Sequence, residues 1–183
     1  DMRVIRVFAW VAGSSVLVAL FLYSMRYEIA RMQEGLPGFT HTLGDEYFKM
    51  VKMRDGVSLA TSIHLPAGEG SSPTVLIRSP YARFEAVLRD QVCGRFVRYG
   101  YACVFQDTRG QGDSEGVWDP GNNEIQDGRD TLDWLVRQDF QDGNIGMMGP
   151  SYLTLNQYAA AATGLPSQVK TFVPSVFAAD MRE

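Results

Sequence analysis

Between Thr74 and Ser175 the chain alternates short, continuous apolar runs with amphipathic ones, and this limits the fold more than any other feature. "TVLIRS" (74–79), "YACVFQ" (101–106) and "NIGMMG" (144–149) read as buried strands, and "VKTFVPS" (169–175) begins a further strand. Between them, "FEAVLRDQVCGRFVRYG" sets Phe84, Val87, Leu88, Val92, Phe96 and Val97 at helical spacing and ends at Gly100. "EIQDGRDTLDWLVRQ" and "LTLNQYAAAA" read as two further helices. Strands apolar throughout and separated by such helices predict an α/β domain, with a parallel sheet covered on both faces and right-handed crossovers. Ahead of it, "EYFKMVKM" and "VSLATSIHL" are separated by Arg54, Asp55 and Gly56. Asp-Gly between apolar runs predicts an antiparallel hairpin leading the sheet.

The chain has 183 residues and a formal charge of −4, enough for one domain with a sizeable core. It has no basic run or Arg/Lys stripe, which argues against nucleic acid as a partner. Between Arg6 and Arg26 lie nineteen uncharged residues, "VFAWVAGSSVLVALFLYSM", with Trp10 and Tyr23 toward the ends. As a helix this run would be roughly 28 Å long, close to the hydrocarbon thickness of a bilayer. It carries no polar face and is followed by no A-x-A-like cleavage site, so a retained transmembrane anchor over residues 4–25 is expected. Arg3 and Arg6 balance Arg26 and Arg31, which leaves the side of the membrane open. Asp1 precedes Met2, so upstream residues are expected. Residues 26–44, with Gly35, Pro37, Gly38 and Gly44, read as a juxtamembrane linker, and the domain as residues 45–183.

Cys93 and Cys103 fall in a helix and a buried strand, with no further cysteine or histidine at ligand spacing. They read as two buried thiols, a disulfide being expected only for an exported domain. The loop "DTRGQGDSEG" lacks the G-x-G-x-x-G spacing of a dinucleotide site, and its glycines read as allowing a tight loop, with Asp107 and Arg109 as an ion pair. Asp127, Asp130 and Asp133 lie at helical offsets and read as a solvated face. No cofactor and no metal is implied.

The chemistry centres on "NIGMMGPSYLT", where a strand reaches Gly149, Pro150 and Ser151 and a helix begins. Ligands of open parallel sheets bind beyond the carboxyl ends of the strands, where Ser151 would stand. A serine on such a strand-to-helix turn has its Oγ raised above the sheet, with the positive end of a helix behind it. It needs small neighbours, and Gly149 is one. The residues alone also allow a second reading, in which Ser151 is only an N-cap.

Five segments carry a family resemblance: "MRDGVSLATSIHLP", "LIRSPYARF", "GYACVFQDTRGQGDSEG", "DTLDWLVRQDFQDGNIGMMGPSYL" and "VPSVFAADM". In this order and spacing, over about residues 47–182, the chain resembles the N-terminal part of the cocaine esterase and X-prolyl dipeptidyl-peptidase family of serine hydrolases. The resemblance implies an α/β-hydrolase fold, with Ser151 in "GPSYLT" as the nucleophile. It implies an oxyanion hole built from the backbone N–H of Tyr152 and the hydroxyl of Tyr81 in "SPYARF". Such donors stabilise the oxygen that becomes negative during acyl transfer. Acyl esters, β-lactam side-chain amides and N-terminal X-Pro dipeptides are all substrates in the family.

Two features depart from the family pattern. Thr154 stands where the family has glycine, and a β-branched side chain there is expected to crowd the turn. In α/β-hydrolases the triad runs Ser, Asp or Glu, then His, but both histidines, His41 and His64, precede Ser151. Asp180 and Glu183 come too early for the acid. The expectation is therefore a fragment, inactive alone, of a membrane-anchored serine hydrolase acting through an acyl-enzyme on Ser151. The alternative is a non-catalytic, membrane-tethered α/β-hydrolase-like binding module.

Overall fold

A computed structural model describes residues 18–176, without the side chains of residues 82–88. Two units divide at Phe39 and Thr40. In the first, residues 18–24 are helical and α1 follows over Arg26–Gln33, inside the stretch read as a linker. The glycine and proline signals there mark the end of that helix, with Gly35 at φ 66°. Residues 1–17, most of the predicted anchor, lie outside the described residues; among the described residues no helix is long and apolar enough to cross a membrane.

The second unit is built on one six-stranded sheet. Its elements are β1 (Leu43–Lys52), β2 (Ser58–Pro66), β3 (Ser72–Ser79), α2 (Ala82–Arg98), β4 (Ala102–Asp107), α3 (Glu124–Leu135), β5 (Gln141–Pro150), α4 (Tyr152–Ala161) and β6 (Val169–Ser175). The strand order is β1-β2-β4-β3-β5-β6. β1 and β2 form the expected antiparallel hairpin, with Lys52 opposite Ser58, and β2 runs antiparallel to β4. β4, β3, β5 and β6 are parallel neighbours, as the uninterrupted apolar runs predict.

Alternation along the strands sorts the core into two faces. On one, Ile63, Leu76, Val104, Ile145 and Met147 pack with Leu132 and Leu135 of α3 and Ala160 of α4. On the other, Val75, Ile77, Cys103 and Phe105 pack with Cys93 and Val97 of α2. Cys93 and Cys103 are not free thiols: a disulfide joins them and ties α2 to β4. The spacing in sequence could not show this, because the contact is made by the fold of the helix back onto its own sheet. Among the described residues β6 is an edge of the sheet, with Val173 54% exposed.

The chain lays β4 on one side of β3 and β5 on the other, so the order reverses at β3. Beyond the carboxyl ends of such strands lies the crevice where open α/β sheets bind ligands. Ser79 closes β3 and Pro150 closes β5, which brings the segments of Tyr81 and Ser151 side by side at this edge.

Candidate active site

Ser151 stands between the end of β5 and the start of α4 at φ 55° and ψ −126°. A non-glycine residue held in this region costs about 1–3 kcal/mol, which the surrounding structure must supply. It does so through backbone bonds: the Ser151 N–H donates to the Ser175 carbonyl at 3.0 Å, and the N–H of Thr154 donates to the Ser151 carbonyl at 2.9 Å. The side chain makes no capping hydrogen bond, which removes the N-cap reading. Gly149 is required here. A Cβ on it would stand 2.5 Å from Leu153 Cδ2, and its φ is 133°.

Thr154 does not push α4 away. It is fully buried, and its hydroxyl lies 2.8 Å from the Gly149 carbonyl and 2.9 Å from that of Ser175 while accepting the Ser175 N–H at 2.9 Å. The β-branched side chain replaces close helix–strand approach with a polar bracket that joins both sides of the turn. Gln157 adds to it, donating to the Gly149 carbonyl at 3.0 Å and accepting the Val173 N–H at 3.1 Å.

The Tyr81 hydroxyl is 3.4 Å from Ser151 Oγ, and Tyr81 is 46% exposed, so the pair faces open solvent. Tyr152, the first residue of α4, carries one of the first-turn N–H groups that have no acceptor within the helix. The three residues singled out in the sequence are therefore together: a serine hydroxyl that caps no helix, a phenol beside it, and a helix N-terminus behind it. Such an arrangement can stabilise an oxygen gaining negative charge next to the serine.

The phenol of Tyr152 reaches away from the serine to the N-terminus of α3. It donates to Glu124 Oε1 at 2.5 Å and accepts the Gly121 N–H at 3.0 Å. Burial and then the Glu124 bond push its pKa up to about 12. The Trp118 ring lies 6.3 Å from that of Tyr152. Below them Arg78, near the end of β3, is fully buried; its Nε donates to Gln106 Oε1 at 2.9 Å and its Nη1 to the Glu124 carbonyl at 3.3 Å. Burial lowers the Arg78 pKa, opposed by Asp127 and Glu124. Sequence spacing gave no sign of this cluster, because Glu124 and Tyr152 are 28 residues apart and meet only through the packing of α3 on α4.

The loop after β4 is as tight as its glycines predict: a Cβ on Gly110 would stand 2.3 Å from the Trp118 nitrogen. Its ion pair is different. Arg109 binds Asp127 through two bonds, at 2.7 and 3.0 Å, and Asp55 at 2.7 Å, not Asp107. Nor do the three α3 aspartates form a solvated face. Asp127 is 1% exposed against Arg109, Asp130 pairs with Arg54 at 2.6 Å, and Asp133 with Arg129 at 2.9 Å. Each meets an arginine, two of them from distant loops.

Neither histidine is at this edge. His64 pairs with Cys103 at the start of β4, and His41 lies against Gly100, just before that strand. Both belong to the amino ends of the parallel strands, on the far side of the sheet from Ser151. A cleft of about 360 Å³ lined by His41, Asp45, Leu65, Glu69 and Phe140 opens there too, remote from the serine.

The chain matches the family model of X-Pro dipeptidyl-peptidase (S15 family) over residues 55–183. The cocaine esterase of Rhodococcus sp. (strain MB1 Bresler) is 42% identical over 135 residues, 72% of this chain and 23% of that protein. Among solved structures, an aminopeptidase from a marine sediment archaeon, Thaumarchaeota archaeon, superposes with a TM-score of 0.64 at 28% identity. That match covers 79% of this chain and 27% of the other. An α-amino acid ester hydrolase also superposes with a TM-score of 0.64, at 31% identity over 76% of this chain and 26% of its own. The chain thus spans about a quarter of the length of these relatives.

Proposed function

The chain belongs to the X-Pro dipeptidyl-peptidase (S15) family of hydrolases, and from that premise we propose that it supplies the nucleophile and the oxyanion donors of a serine hydrolase acting on ester or amide bonds. Ser151 Oγ attacks the substrate carbonyl carbon. As the C–O bond forms, the carbonyl oxygen takes up the electron pair and accepts hydrogen bonds from the Tyr152 N–H and the Tyr81 hydroxyl. Collapse of this intermediate expels the alcohol or amine and leaves the acyl group on Ser151, from which water removes it. The proton of Ser151 passes to a base and then to the leaving group. His41 and His64, at the opposite edge, are not that base.

The observation that carries the reading is an uncapped serine at φ 55° with its Oγ 3.4 Å from the Tyr81 hydroxyl at the carboxyl edge of the sheet. The relatives bear the names of an esterase, an aminopeptidase and an amino acid ester hydrolase, so acyl esters and amino-terminal peptide bonds are the substrate classes to try first. A fluorophosphonate probe on the full-length protein tests the proposal. Labelling that Ser151→Ala abolishes is expected. Folded protein that takes no label would leave the tethered binding module as the better reading.

The proposal extends to location. The apolar run of residues 7–25 would tether the domain to a membrane, and the Cys93–Cys103 disulfide favours its oxidising side. Carbonate extraction and protease protection on membranes test this, retention with an accessible domain being the expected result.

A further inference from the structure

We infer that Glu124 is a positioning residue of the acyl-transfer site: by holding the phenol of Tyr152 it fixes the backbone N–H of that residue at the oxyanion. The inference rests on the acyl-enzyme reading above. Tyr152 is anchored at both ends. Its backbone begins α4 directly after Ser151, and its hydroxyl is clamped between Glu124 Oε1 at 2.5 Å and the Gly121 N–H at 3.0 Å. Glu124 is 3% exposed and is the first residue of α3. A buried carboxylate makes a strong, directional acceptor, and the raised pKa of Tyr152 keeps the phenol a donor throughout the neutral and alkaline range.

The main chain of Glu124 is itself held from below: the fully buried Arg78 donates to its carbonyl at 3.3 Å, and the two side-chain charges attract each other. The carbonyl of Arg78 accepts Asn156 Nδ2 of α4 at 2.8 Å. Arg78 lies three residues before Tyr81 on the same strand end. The segments bearing the two oxyanion donors, Tyr81 after β3 and Tyr152 after β5, are thus tied to one buried Arg78–Glu124 contact. Mutation of that contact would move one donor relative to the other, and displacements of about 1 Å in such sites can cost on the order of a hundredfold in rate.

The test compares Tyr152→Phe, Glu124→Ala, Glu124→Gln and the Tyr152→Phe/Glu124→Ala double variant in the full-length protein. Each is assayed with a p-nitrophenyl ester, and kcat is expressed per serine titrated by a fluorophosphonate. That normalisation removes unfolded molecules, so a merely structural role would leave kcat per titrated site unchanged. The expected result is a fall in kcat of about 10- to 100-fold for Tyr152→Phe and Glu124→Ala with KM little altered. The double variant should fall no further than the worse single one. Glu124→Gln, which keeps an acceptor for the phenol, should recover most of the loss. Wild-type kcat per site in Tyr152→Phe, additive losses in the double variant, or Gln no better than Ala would overturn the inference. Tyr152→Phe keeps the ring and decides the matter should Glu124→Ala not fold. An unlabelled wild type overturns the acyl-enzyme reading and this inference with it, whereas a labelled wild type beside an unaffected Tyr152→Phe overturns this inference alone.

Discussion

Replacing Gly149 with alanine loads the turn at Ser151 with two separable penalties. Gly149 sits at φ 133°, and a Cβ there would stand 2.5 Å from Leu153 Cδ2 and 2.6 Å from Leu153 Cβ. The backbone term is about 1–3 kcal/mol. The contact term is overpacking, typically about 1–3 kcal/mol, and Leu153 Cβ cannot swing aside because it is fixed to the backbone of α4. Gly143, in the same strand, separates the two: its φ is 91°, but a Cβ there meets nothing within 4 Å. Gly143→Ala therefore carries the backbone term alone. Gly149→Ala should unfold more easily than Gly143→Ala by about 1–3 kcal/mol, and so at a lower Tm. Thermal unfolding of the full-length protein, followed by tryptophan fluorescence, reads the difference. Equal midpoints for the two variants would refute the contact with Leu153 as the reason for glycine at this position.

Three further outcomes are expected. Ser151→Gly relieves the positive φ and should stabilise the domain by about 1 kcal/mol while abolishing fluorophosphonate labelling; destabilisation would show that the serine side chain supports the turn. Reduction of Cys93–Cys103, which closes a loop over a sequence separation of 10, should lower stability by about 2.5 kcal/mol, and an unchanged Tm with and without reductant would contradict the pairing. Burial raises the Asp107 pKa, so its charged form opposes folding. The stability of the acid form is complete below the ordinary carboxylate range and is lost as pH rises through the raised value. Asp107→Asn should therefore exceed the wild type in Tm at pH 7, with the gap closing on acidification; a gap that grows with falling pH would contradict this.

Much of the fold was legible because burial writes itself into periodicity. The apolar runs at 74–79, 101–106 and 144–149 had to be central strands, and Asp55-Gly56 had to turn a hairpin. Ser151 was legible for a related reason: a strand, a glycine, a serine and a helix in succession leave few geometries for the chain between them. What escaped were pairings made in space between segments distant in sequence. Arg109 chooses Asp127 over nearby Asp107, Tyr152 finds Glu124, and Thr154 turns an expected clash into hydrogen bonds with Gly149 and Ser175. The cysteines escaped differently: their spacing fitted either free thiols or a bond, and only the packing of α2 on β4 joins them.

The account stands or falls on whether the acyl group goes to Ser151. Full-length protein mixed briefly with p-nitrophenyl acetate, quenched in acid and mapped by peptide mass spectrometry gives the answer directly. The account predicts an acetyl group on the peptide carrying Ser151 and none in Ser151→Ala. Hydrolysis of the ester with acetyl on another residue, or no hydrolysis and no adduct in folded protein, would contradict it.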